Sequence, residues 1–322
     1  MGLGIRGIIA AWIVAAAPLH AADLRLGLQE GGTARWEVAA MQAAGIDAAH
    51  DLTLSIRPVA DSRAGQVALQ AGEVDVILSD YLWTSIQRGQ GADFTFVPHS
   101  LAVGGLMVLP ESPVKTVADL KGAKLAVAGG PVDKSYLILR AYYAAETGGD
   151  LTQDAGTDFG APPLVNEVLA AGQADAALNF WHFNARAQVA GAVQVISVKE
   201  MLAALGVARQ PPLLGWVFSE GWAGGNDAAI RSYLDASFET KARLLQDDAL
   251  WQQIRPVMKA EDDALFIALR DAYRAGIVAG YGAADKVAAE QTFALLAQYG
   301  GAEVTGGATA LAEGTFWAGY ER

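Results

Sequence analysis

An α/β fold in two similarly built lobes is what this sequence predicts, and three observations carry it. Short apolar runs of period two alternate with stretches of helical period, the pattern of a mostly parallel sheet covered by helices on both faces. A helix–glycine–strand pattern recurs 100 positions on, Gly72 matching Gly172 and Asp75 matching Asp175. The 322 residues also suit two domains of ~150 residues each.

Taken in order, 24–28 alternates like a strand, and Thr33 is placed to cap a helix over 34–44 that Gly45 ends. A strand at 52–56 is followed by a helix that Asp61 or Ser62 caps and Gly72 ends, and then by a buried strand at 74–78. Strands at 94–98 and 105–109 lead to a second unit, which opens with a strand at 124–128 and a helix from 134 to 146. A short helix over 164–171 precedes strands at 174–178 and 193–196, and 213–218 reads as a strand returning to the first unit. From 227 onward the pattern is helical, with breaks near Gly280-Tyr281-Gly282 and Gly300-Gly301. The recurring pattern runs ALQAGEVDV at 68–76 and VLAAGQADA at 168–176, and each copy leads into an aromatic cluster, SDYLW at 79–83 and NFWHF at 179–183.

Composition narrows the function. Hydrophobic residues make up 52% and charged residues 18%, enough apolar material for a large core. A net charge of −12 with no basic stretch repels nucleic acid and anionic membrane surfaces. Arg6, the apolar run 7–17, Pro18 and the small pair Ala21-Ala22 read as a secretory signal peptide over 1–22. The run is well short of the ~20 residues that span a bilayer. With no cysteine, disulfides, thiolate chemistry and a lipid-anchored cysteine are excluded. The expectation is a secreted, soluble protein that is not a lipoprotein, with a mature chain starting near Ala22 or Asp23.

Three segments carry a family resemblance: 68–76, the stretch TVADLKGAKLAV at 116–127, and GQADA at 172–176 with the aromatic turn after it. Together they resemble the solute-binding proteins of nitrate/sulfonate/taurine-type ABC importers, a group with thiamine-pyrimidine-binding members. The likeness runs from about 24 to 218, and its DLKG element specifies no ligand. It implies a two-lobed periplasmic binding protein of type II, with a ligand cleft between lobes and two hinge crossings. Lobe 1 would be 23–103 plus 214–322 and lobe 2 104–213, with crossings near Val103-Gly104-Gly105 and Leu214-Gly215-Trp216. Glycines there are expected to permit the torsion changes of closure. The implied partners are a small-molecule ligand and an ABC permease in the inner membrane, with the binding protein a monomer in the periplasm.

Ligands of open α/β sheets sit beyond the carboxyl ends of the strands. Here those ends offer Glu30 and Thr33, Asp80, Tyr81 and Trp83, Gly130, Asp133 and Ser135, and Asn179, Trp181 and His182, with Trp36 one turn into the first helix. The glycine-led turns before helices present free N–H groups for anions or carbonyl oxygens. Trp181 and Tyr81 are candidate stacking surfaces, each in a matched turn. Asp80, directly after a buried strand, needs a partner that a ligand amine can supply or a helix N-terminus to cap. Asp75 and Asp175 suit backbone turns or packing. Lys134 and Arg140 could hold an anion, but a solvated helix face is the expected place for both. The mixture of aromatics with Glu30, Asp80 and Asp133 favours a planar, nitrogen-bearing ligand such as a thiamine pyrimidine, beside the sulfonate, taurine or nitrate of the family. No catalytic residue, metal ligand or cofactor is expected: the histidines have no metal spacing, and no GxSxG elbow is present. A secreted ligand-sensing subunit and a periplasmic enzyme on the same fold are the alternatives.

Overall fold

The computed structural model describes residues 22–322, so the expected signal peptide lies, except for Ala22, outside the described residues. The first unit runs β1 (Ala22–Gln29), α1 (Ala34–Ala43), α2 (Ile46–Ala49), β2 (Leu52–Val59), α3 (Ser62–Gln70), β3 (Val76–Asp80), α4 (Tyr81–Gly89) and β4 (Phe94–Ser100). The second runs β5 (Gly105–Val108), β6 (Lys124–Ala128), α5 (Lys134–Thr147), α6 (Leu151–Asp154), β7 (Gly156–Gly160), α7 (Pro162–Ala170), β8 (Ala176–Asn179), α8 (Trp181–Val189), β9 (Val193–Ser197) and α9 (Val198–Ala204). The chain then returns through β10 (Leu214–Ser219) to α10 (Glu220–Gly225), α11 (Asp227–Gln246), α12 (Asp248–Met258), α13 (Asp263–Ala275) and α14 (Ala283–Thr305).

These strands form two five-stranded sheets of one design, ordered β2-β1-β3-β10-β4 and β7-β6-β8-β5-β9. In each, one strand runs against the others: β10 is antiparallel to β3 and β4, and β5 to β8 and β9. The reversed strand is in both cases the one that has just crossed from the other sheet. The fold is a two-lobed type II periplasmic binding architecture.

The repeated sequence builds a repeated device. Gly72 and Gly172 end their helices at φ 68° and 65°, the left-handed region that a side chain resists. Three residues later, Asp75 and Asp175 each accept a backbone N–H from the neighbouring strand, from Arg25 and from Lys124, at 2.8 Å in both lobes. The main chain of each aspartate donates back to the same residue. This locks the register of β1 with β3 and of β6 with β8, as the backbone role read from the sequence requires.

Three features refine the expectation. The chain returns through the stretch between Ala204 and Leu214, and Leu214-Gly215-Trp216 opens β10. Gly104 and Gly215 also sit where another backbone approaches closely. A Cβ on Gly104 would lie 1.6 Å from the Asn179 carbonyl oxygen, and one on Gly215 2.3 Å from that of Val97. The break expected at Gly300-Gly301 is a kink within α14, at Gly301.

Two of the carboxy-terminal helices also reach the second sheet's side. α13 lies against α8, and α14 packs on both α4 and α5. One continuous core runs from Ile77 and Tyr81 of the first sheet's side, through Phe293 and Leu296 of α14, to Leu137 and Leu178 of the second.

Candidate functional site

Between the sheets lies a cleft of about 480 Å³, within the range of small-molecule sites. Five helices begin at its wall: α1, α3, α4, α5 and α8. Each follows the carboxyl end of a strand, which is where a parallel strand–helix connection must sit. Three starts are capped by acids: Asp61 accepts the Ala64 N–H, Asp80 the Trp83 N–H and Asp133 the Ser135 N–H. The starts of α1 and α8, at Thr33 and Phe180, have no side-chain cap. At α8 this leaves the Trp181 and His182 N–H groups open to an acceptor; at α1 only the Ala34 N–H is open, because Arg35 and Trp36 already donate to Gly32 O and Thr33 O. The helix dipoles favour a negative acceptor.

The lobes meet across the cleft through charge. Lys134 Nζ, at the start of α5, lies 3.1 Å from Asp80 Oδ2, at the end of β3. Asp80 thus caps α4 with one oxygen and pairs across the cleft with the other. Burial disfavours the Lys134 ammonium, but the charges of Asp80 and Asp133 outweigh it and hold its pKa above the ordinary lysine value. Burial raises the pKa of Asp133, with Lys134 and the backbone N–H groups of Tyr136 and Ser135 pulling the other way.

Trp181 and His182 form the aromatic wall of the second lobe. Trp181 packs edge-on against Trp36 with ring centroids 5.7 Å apart, and against Tyr273 at 6.1 Å. Lobe 2 is therefore braced by α1 and α13 behind the cleft. His182 packs on Trp181 at 5.3 Å and on Phe183 at 4.5 Å. Its Nδ1 is shielded from water and has no partner. Burial, with the nearby Arg186 charge, pushes its pKa down to about 4, so the ring is neutral at physiological pH.

Of the residues read from the sequence, Thr33, Asp80, Asp133, Ser135, Trp181 and His182 line the cleft. The others do not. Glu30 is exposed beyond β1. Trp36 turns away and supports Trp181 from behind. Tyr81 is fully buried between Phe96 and Phe316, and Trp83 stacks on Phe94 at 5.3 Å. Gly130 accepts the Asp133 N–H in the turn before α5. The Asn179 amide donates to Pro162 O and Asn166 Oδ1 and accepts from Phe180 N, so it is fully used within lobe 2. Sequence reasoning missed Arg63 and Gln66, which follow the end of β2, and assigned Lys134 to solvent. The strand-end rule applied to β2 would have found the first two. Among the described residues, no group of three acidic, histidine or cysteine side chains is placed to hold a metal, and no helix is long and apolar enough to cross a membrane.

A family model described as NMT1/THI5 like matches residues 42–209, just over half of the 322-residue chain. Among solved structures, the chain is similar to the periplasmic aliphatic sulphonate binding protein SsuA from Escherichia coli, at 18% identity over 93% of each chain and a TM-score of 0.73. It is similar to the alkanesulfonate-binding protein SsuA from Xanthomonas axonopodis pv. citri bound to MOPS, at 20% identity over 94% of this chain and 99% of that one, TM-score 0.70. The desulfurization enzyme DSZB also shares the fold, at 14% identity over 91% of this chain and 97% of that one, TM-score 0.61. A search of curated proteins finds no match by sequence.

Proposed function

We propose that this chain, which belongs to the NMT1/THI5-like family, is the solute-binding component of an ABC importer, capturing a small organic molecule and presenting it to a permease. The observation that carries this reading is a cleft lined by helix starts and strand ends of both sheets. A solute held there touches both lobes at once, so it stabilises the closed arrangement over the open one by the contacts that only closure completes. We assign 23–103 with 214–322 to lobe 1 and 104–213 to lobe 2. Residues 1–22 are assigned as an export signal to the periplasm, where the protein acts as a monomer and binds without turnover.

Two solute types suit the wall. A planar, nitrogen-bearing ring such as a thiamine pyrimidine matches Trp181 beside Asp80. A sulfonate, taurine or nitrate matches the open Trp181 and His182 N–H groups at the start of α8. Native mass spectrometry of protein from a periplasmic fraction tests the reading. It should find a chain starting near Ala22 and carrying one small molecule, whose removal enlarges the radius of gyration in small-angle scattering. A chain that retains and binds no solute, or one that converts its solute to another mass, would contradict it.

A further inference from the structure

The Asp80–Lys134 pair constrains the charge of whatever enters the cleft. Its members come from opposite lobes, and only 12% of the Asp80 side chain and 28% of the Lys134 side chain remain exposed. Both line the cleft. Each has one cross-lobe partner, the other. Asp80 spends its second oxygen on the Trp83 N–H, and Asp133, the other acid beside Lys134, spends one oxygen on the Ser135 N–H.

Consider what each class of solute does to this pair. A simple anion at Lys134 either displaces Asp80, leaving it mostly buried with no counter-charge, or shares the ammonium and sits as a second negative group beside Asp80. A simple cation at Asp80 sets a second positive charge beside Lys134 in the same way. Either arrangement crowds like charges in a poorly hydrated place. A neutral solute leaves the pair intact and gains nothing from it. A solute with both charges a few ångströms apart inserts into the pair and gives each residue a new partner in one step. Its negative end meets Lys134, near the helix start at α5, and its positive end meets Asp80. The volume of about 480 Å³ leaves room for an organic body against Trp181.

We infer that the solute is dipolar, an amino acid or amino sulfonate in chemical class, and that Asp80 and Lys134 select it over its singly charged relatives. The inference rests on the solute-binding reading and narrows it. Its test is calorimetric titration with two matched sets: taurine, ethanesulfonate and ethylamine; and phenylalanine, 3-phenylpropanoate and 2-phenylethylamine. The dipolar member of at least one set should bind tenfold or more tighter than both of its relatives, and any retained solute should carry both charges. Asp80→Asn keeps the cap on α4, since asparagine caps as well as aspartate. It should weaken the dipolar ligand about tenfold while leaving or improving the anion. The double variant Asp80→Asn/Lys134→Gln leaves no charge stranded and should lose the preference altogether.

Tighter binding of an anion by the wild-type protein would overturn the inference. So would a bound or retained neutral solute indifferent to both substitutions. In either case the solute-binding reading stands. If neither set binds and no solute is retained, that reading falls and the inference with it.

Discussion

The two lobes have the same strand order, the same glycine at left-handed φ and the same aspartate clasp, yet they end their third strands differently. In lobe 1, β3 ends on Asp80, which caps α4 and reaches across the cleft to Lys134. In lobe 2, β8 ends on Asn179, which is used up inside its own lobe and leaves the start of α8 uncapped. One wall is thus acidic and committed; the other is aromatic with open N–H donors. The scaffold is what the lobes share, and the selection of a solute rests on where they diverge.

A second difference lies behind the cleft. Lobe 1 encloses a charged cluster: Glu37 accepts from Lys241 and Ser237 on α11 and from Tyr273 on α13, with His99 Nδ1 3.6 Å away. Burial disfavours the Glu37 carboxylate, but Lys241 and the surrounding donors keep its pKa below the usual value. Lys241→Met removes the counter-charge and leaves Glu37 buried, so unfolding free energy should fall by about 3–5 kcal/mol. A loss below ~1 kcal/mol in chemical denaturation would show that the cluster is not what ties α1 to α11.

Acid should weaken lobe 1 through the same cluster. Burial and then the Lys241 charge push the His99 pKa down to about 3, well below its unfolded value near 6.5. The unfolded chain therefore binds the proton first, and stability is lost as pH falls from about 6.5 toward 3, at about 1.4 kcal/mol per pH unit. His182 in lobe 2 acts over the narrower window from about 6.5 to about 4. His99→Gln should flatten the acid limb of the stability curve more than His182→Gln. The reverse ranking would reverse this comparison of the lobes.

The aspartate clasp offers a subtler contrast. Asp75 also receives the Arg25 guanidinium, with its Nη2 at 2.5 Å and Nε at 3.0 Å, whereas Asp175 holds backbone alone. Asp75→Ala should cost about 2–3 kcal/mol and Asp175→Ala about 1–2 kcal/mol. Equal losses would assign the whole effect to the shared backbone bond. Smallest of all, Gly72→Ala and Gly172→Ala should each cost about 1 kcal/mol, and equally, because both sites have open space and differ from alanine's preference only in φ.

Legibility in the sequence follows the same divide. The repeated parts were readable because helix, glycine cap and apolar strand each leave a local signature. β7 left none: Gly156-Thr157-Asp158-Phe159-Gly160 has one apolar side chain between glycines, and it is a strand only through its backbone pairing with β6. The position of the cleft followed from strand ends, but which side chains turn into it did not. Tyr81 and Trp83 sit directly beyond Asp80, yet the turn of α4 carries Tyr81 into the core and lays Trp83, half-buried, against Phe94. Lys134 was read as belonging to a solvated helix face, the common place for a lysine. Its partner stands 54 positions away in sequence on the other lobe, a distance no local pattern spans.

The most direct test of a cleft closed by both lobes is hydrogen–deuterium exchange on the protein with its retained solute, and again after unfolding, dialysis and refolding without it. The solute should protect the first turns of α1, α3 and α4 in lobe 1 together with those of α5 and α8 in lobe 2, and leave the outer strand β7 unchanged. Protection confined to one lobe, or lying away from these helix starts, would contradict the account.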